Sequence, residues 1–194
     1  MTQAVHLHTV HEVNKRLLLR RYGDGKHLWT RELAREIRTD LTRLVSAVDA
    51  GDAVIIDAGG IEVFDYSFAN ELFGKTVLML PREYPGRFVI VENLTPYARE
   101  NLERALEGLG LAIIERQGSR IGLLGKVHRV DTSTFEALVR AGRPIVAAEL
   151  KDRLGLTITA MNERLTKLTQ LGLLFRQRSA SSAGREQYVY QVPA

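Results

Sequence analysis

From Val5 to Val13 the chain reads V-H-L-H-T-V-H-E-V, an apolar/polar alternation that predicts a strand. Arg20–Lys26, with Gly23-Asp24-Gly25 inside it, predicts a turn or an extended connection. A helix is expected from about Thr30, a capping residue type, with Leu33, Ile37, Leu41, Leu44 and Val48 along one face and Gly51 as its stop. Ala53-Val54-Ile55-Ile56-Asp57 is a nearly all-apolar run, the mark of a strand covered on both faces. A second helix is expected from Ser67 to Leu80, closed by Pro81, with Phe68, Leu72 and Met79 on its stripe. Arg87–Val91 reads as a strand. Pro96 then opens a third helix in which Ala98, Leu102, Ala105, Leu106 and Leu109 recur at helical spacing up to Gly110. Leu111–Glu115 and Ile121–Val127 read as further strands. Strands alternating with single amphipathic helices predict an α/β domain over residues 1–128.

Around Arg129 the rhythm changes to three closely spaced helices and two late strands, which places a second domain at residues 131–194. Ser133 with Glu136 has the spacing of a capping box for the first of these helices, with Phe135, Leu138 and Val139 turned inward and Gly142-Arg143-Pro144 as the break. Residues 145–155 predict the next helix, with Val146, Leu150 and Leu154 on one face and Gly155 as the stop. Thr157 to about Gln170 predicts the third, with Ile158, Met161, Leu165 and Leu168 as buried positions. Two short helices joined through so tight a turn must cross steeply, as in a helix-turn-helix. Leu173–Arg178 and Gln187–Val192, around a Ser/Gly-rich tip, form a hairpin pattern.

The run A-x-E-L-K-D-R-L-G-L-T-I-T-A-M-N-E-R-L-T-K-L-T-Q-L-G-L-L, followed by basic residues, resembles the winged-helix family of bacterial regulators over about 60 residues. In that family the second helix of the pair enters the major groove of double-stranded DNA and the hairpin wing touches the flanking backbone. At ~100° per residue, turning Ile158, Met161, Leu165 and Leu168 inward leaves Thr159, Ala160, Glu163, Thr166 and Lys167 outward, flanked by Asn162 and Arg164. Thr157 and Thr159 suit phosphate, Arg164 and Lys167 suit phosphate or guanine, and Glu163 suits the cytosine amine. Arg178, Ser181, Ser182 and Arg185 are the wing candidates. Because winged-helix regulators commonly read two half-sites, the resemblance also implies a homodimer.

Composition adds limits. Hydrophobic residues make up 45% and charged residues 26% of the 194, an ordinary globular mixture. No apolar run approaches the ~18 residues of a membrane span, and Met1–Val13 lacks the pattern of a signal peptide, so no membrane and a cytoplasmic location are expected. The absence of cysteine removes disulfides and thiolate chemistry. Of the formal charge of +4, residues 131–194 carry +3 (9 Lys and Arg, 6 Asp and Glu) and the rest +1 (18 against 17), a bias that suits a nucleic-acid partner.

The first 128 residues hold several partial motifs. Ala69–Thr76, A-N-E-L-F-G-K-T, satisfies a relaxed phosphate-loop pattern, but it lies inside an expected helix rather than directly after a strand. Asp57 ends a strand as the phosphoacceptor of a receiver domain does, yet Asn14-Lys15-Arg16 cannot supply the magnesium-binding acids. His6 and His8 share one face of a strand with no carboxylate near in sequence, so no metal site is expected. The run V-I-I-D, then A-G-G-I-E-V-F-D-Y-S-F-A-N-E-L-F-G, resembles the STAS-like fold, related to anti-sigma-factor antagonists. In the antagonists a serine at the position of Ser67 is phosphorylated by a partner kinase. Tyr66 and Phe68 are bulkier than the residues usual there, and Ser67 or Asp65 also suits a plain helix cap. The sequence thus predicts an α/β STAS-like sheet with helices followed by a winged helix-turn-helix of three helices plus a hairpin wing. The expected function is a DNA-binding transcription regulator whose first domain senses a signal, binds a protein partner or dimerises. The alternative is a partner-switching adaptor whose winged helix binds protein. No enzyme is expected and no cofactor, since no catalytic constellation emerges.

Overall fold

The structure, a computed structural model, describes residues 15–180, 184 and 186–193; the expected strand Val5–Val13, with His6 and His8, lies outside them. The fold is mixed α/β with a largely parallel sheet. Strands β1 (Lys15–Leu18), β3 (Ala53–Asp57), β5 (Phe88–Glu92), β6 (Ala112–Gln117) and β7 (Arg120–Gly125) form one sheet in the order β1-β3-β5-β6-β7. The first four are parallel and β7 returns antiparallel to β6. A parallel pair needs a crossover, and each is supplied by helix: α1 (Arg31–Ser46), then α2 (Tyr66–Ala69) continued through a π-helical turn (Asn70–Gly74) into α3 (Lys75–Glu83), then α4 (Pro96–Leu109). Strands β2 (His27–Leu28) and β4 (Val63–Phe64) form a separate two-stranded pair.

Alternation along the strands divides the sheet into two apolar faces. Leu17, Val54, Ile56, Val89, Val91, Ile113 and Leu124 meet the helices α1 to α4 through residues such as Ile37, Leu41, Phe68, Phe73 and Leu102. The opposite face, Ala53, Phe88, Ile90, Ala112 and Ile114, packs with the C-terminal elements. These are α5 (Arg129–Ala141), β8 (Ile145–Val146), α6 (Ala147–Leu154), α7 (Ile158–Gln170), β9 (Phe175–Ala180) and β10 (Glu186–Gln191). Phe135, Leu138, Met161, Leu165, Leu168 and Leu173 share that second core. The apolar run in β3 is therefore buried on both sides, as its composition requires.

Local signals place some boundaries and misplace others. Thr30, Thr95 and Thr157 cap their helices by accepting from the third residue on, and Gly110, Gly142 and Gly155 close theirs in the left-handed conformation. Helix α1 ends at Ser46 rather than at Gly51. Pro81 does not end its helix: α3 runs on to Glu83, and Tyr84 N donates to Leu80 O at 2.9 Å, since a proline near the end removes only one helical hydrogen bond. Ser133 and Glu136 are not a capping box. His128 occupies the N-cap position of α5, and Ser133 Oγ donates back to Arg129 O at 3.0 Å inside the helix. Ile145 and Val146 are not helical but pair with Tyr190 and Val189 of β10 as a third strand of the hairpin sheet. Leu109, expected on the buried stripe of α4, is 45% exposed.

Candidate nucleic-acid interface

The C-terminal region builds a polar helix face beside a hairpin. Glu149, in the first turn of α6, accepts from Arg153 at 2.6 Å and from Arg143. The Arg143 bond, against a smaller burial effect and with help from Arg153, holds its carboxyl below the usual range. Gly155 then turns the chain with φ +63°, and Leu156 N closes the turn on Lys151 O at 2.9 Å. Thr157 Oγ1 accepts from Ala160 N at 3.2 Å, which starts α7 and leaves the exposed hydroxyl its own proton to donate.

Along α7, Met161, Leu165 and Leu168 are fully buried. Ile158 departs from expectation at 43% exposure, because periodicity gives its direction but not whether a neighbour covers the first turn. Thr159, Asn162, Glu163 and Gln170 are exposed, with Ala160 and Thr166 half-buried. Each of the two cations assigned to this face makes one bond toward α5. Lys167 Nζ donates to Asp131 Oδ2 at 2.6 Å, and Asp131 is 2% exposed in the first turn of α5. Arg164 donates to Val130 O at 3.3 Å. Among the described residues, the outer face of α7 therefore carries amides, hydroxyls and Glu163, with Lys167, its side chain 47% exposed, ion-paired at the edge.

The hairpin pairs β9 with β10 antiparallel, from Phe175↔Gln191 to Ala180↔Glu186. Arg176 lies over the Tyr188 ring at 4.6 Å, and Arg178 stands exposed, 3.9 Å from Glu186. Burial pushes the Tyr190 phenol up, with Arg176 opposing. Ser181, Ser182 and Arg185 lie outside the described residues. Sequence reasoning missed Arg176, although its position in a basic strand next to the wing candidates was a usable signal.

Ser67 sits elsewhere. Asp65 caps α2, its carboxylate accepting from Phe68 N at 2.7 Å, so the cap reading of Ser67 gives way to Asp65. Ser67 is half-buried in the first turn, after the exposed Tyr66 and before the buried Phe68. Residues Ala69–Thr76 are helical throughout. Within them Glu71, 2% exposed, accepts from Lys75 Nζ at 2.6 Å and Arg38 at 3.2 Å, with Arg35 Nε at 3.4 Å. Burial pushes this carboxyl up, but Lys75, Arg38 and Arg35 outweigh it and hold it below the usual range. Asp57, at the end of β3, accepts from Gly59 N at 2.8 Å and Asn93 Nδ2 at 2.9 Å, with Arg16 at 3.5 Å.

No protein-family model matches the chain, and no curated protein matches it. Among solved structures it is similar to a possible transcriptional regulator from Methanosarcina mazei Go1, with 19% sequence identity and a TM-score of 0.33. That alignment takes in 35% of this chain and 57% of the length of the other, a likeness too slight to carry any argument about fold or function.

Proposed function

We propose that this protein is a DNA-binding transcription regulator, with residues 131–194 acting as a winged helix-turn-helix and residues 1–128 as a STAS-like controller. One observation carries the reading: α6 and α7, joined through Gly155, present an exposed polar face beside the β9–β10 hairpin. Thr159, Asn162, Glu163 and Thr166 supply the donors and acceptors that read base edges, with Ala160 small enough for close approach. Arg176 and Arg178 serve the flanking backbone. Thr157, Arg164 and Lys167 shape the helix and act on DNA through it. The regulator works as a cytoplasmic homodimer, without enzymatic activity or cofactor, and the first domain takes a signal or a protein partner.

The test is a mobility shift with duplex DNA at low salt, comparing wild type with Thr159→Ala plus Asn162→Ala. The expected result is a shift by wild type that the double variant weakens about tenfold or more, the effect of losing one good base contact. Equal binding by both would remove these residues from the interface.

A second reading rests on the bonds that draw Arg164 and Lys167 toward α5. In it the C-terminal region binds protein, and the chain is a partner-switching adaptor. Tyr66 and Trp29, each 46% exposed, favour a protein contact near Ser67. Phosphate on Ser67 in protein from native cells, with binding to a partner that changes on phosphorylation, would support it.

A further inference from the structure

We propose that Arg82, in the last turn of α3, and Arg87, just before β5, grip the backbone phosphates of the duplex that α7 reads, so that the sheet domain is itself part of the DNA interface. The inference rests on the DNA-binding reading and extends it beyond the C-terminal region.

Charge makes the first argument. A duplex presents one negative charge per ~1.7 Å of its axis, and its binding proteins must neutralise several. On α7 Lys167 is neutralised by Asp131, and Arg164, with one bond to Val130 O, supplies a single cation. The cations nearest the end of the outer face lie instead around a groove of about 450 Å³, where Arg82 and Arg87 stand opposite Thr166, Gln170 and Arg176. Arg82 is exposed, and its side chain makes no ion pair or hydrogen bond among the described residues. Arg87 is held by its Nε, which donates to Val48 O at 2.7 Å, and its two terminal nitrogens remain for an oxyanion.

Length makes the second. From Thr159 to Gln170 the helix rises about 16 Å at ~1.5 Å per residue. The major groove is ~12 Å wide, so where the helix axis crosses it one end reaches a flanking phosphate strand. The groove with Arg82, Arg87 and Arg176 is at that end.

Fixed geometry makes the third. Gly172, just after α7, lies so close to Pro81 that an added Cβ would sit 3.1 Å from its ring. The Phe175 ring packs on Gly51 and Gly86 and meets Phe88 edge-on at 6.2 Å. The backbone that carries the two arginines is thus fixed against the end of α7 before any ligand arrives, which limits the ordering cost on binding.

Fluorescence anisotropy of the full chain with a labelled duplex, repeated over a range of salt, tests the proposal. Arg82→Ala should weaken binding several-fold at low salt and flatten the plot of log affinity against log salt by about one unit, the loss of one phosphate contact. Arg82→Lys should keep the slope, and Arg104→Ala, remote on α4, should match wild type. An Arg82→Ala variant with the wild-type slope, alongside an Arg176→Ala variant that binds more weakly, would overturn this inference and leave the DNA-binding reading standing. No binding by wild type would overturn both, and binding of an acidic polypeptide in place of duplex would assign the groove to a protein partner.

Discussion

Asp131 and Lys167 show how a residue's role depends on what stands opposite it. From sequence, Lys167 is one more cation on an outward helix face; in the fold it satisfies a carboxylate that is 2% exposed. The two lie 36 positions apart, and nothing in local pattern links them. Lys167→Ala should therefore act on stability, lowering it by about 2 kcal/mol because a buried acid loses its partner, while the salt slope of duplex binding stays as in wild type. Thermal melts and the salt titration check the two halves separately; a flattened slope with an unchanged melt would return Lys167 to the interface. Tyr22 offers a test with pH. Its Oη donates to Asp40 at 2.9 Å, and burial, followed by that bond and the carboxylate's charge, pushes the phenol from 10.0 up to about 12. A group raised in the folded state stabilises fully below its unfolded value and loses that contribution as pH climbs through the folded one. The melting temperature should fall between about pH 10 and 12, and Tyr22→Phe should remove part of that fall.

At the scale of elements, what was legible came from periodicity and punctuation. Helices α1, α4 and α7 follow their apolar stripes and their threonine caps, and β3 and β5 follow runs of β-branched residues. The misreadings have three separate causes. Ser133 bonds back along α5, Pro81 sits where its missing N–H costs little, and Ile145-Val146 is recruited by a hairpin some 40 residues later. Glycine positions make a quantitative test of the same idea. At Gly125, with φ +107°, an added Cβ would lie 2.4 Å from Leu111 O, so Gly125→Ala should cost about 3 kcal/mol from strain and overlap. At Gly155, with φ +63°, nothing lies within 4 Å, and Gly155→Ala should cost only about 1 kcal/mol. Urea unfolding separates the two; similar midpoints for both variants would contradict the difference in surroundings.

Over the whole molecule, the sequence announces a change of pattern near Arg129 but not that the C-terminal elements cover the second face of the sheet. The apolar run in β3 says that something covers that face, and only the tertiary fold says what. Because Ala53, Phe88, Ile90, Ala112 and Ile114 share a core with α5, α6 and α7, unfolding should follow a single transition. Phe175→Ala should lower that transition by about 2–3 kcal/mol without splitting it, as measured by calorimetry; two resolved transitions would mean that the halves are thermodynamically separate. Periodicity assigns Thr159, Ala160, Glu163, Thr166 and Lys167 to the outer face of α7, flanked by Asn162 and Arg164, whereas it cannot bring Arg82 and Arg87 near them, since these come from the other half of the sequence. The most direct measurement for the account as a whole is to mix the full chain with fragments of its genome, recover the bound duplexes and sequence them. The account predicts a few strongly enriched fragments sharing one sequence element, lost when Thr159 and Asn162 are both alanine. Uniform recovery of all fragments, or none at all, would contradict it.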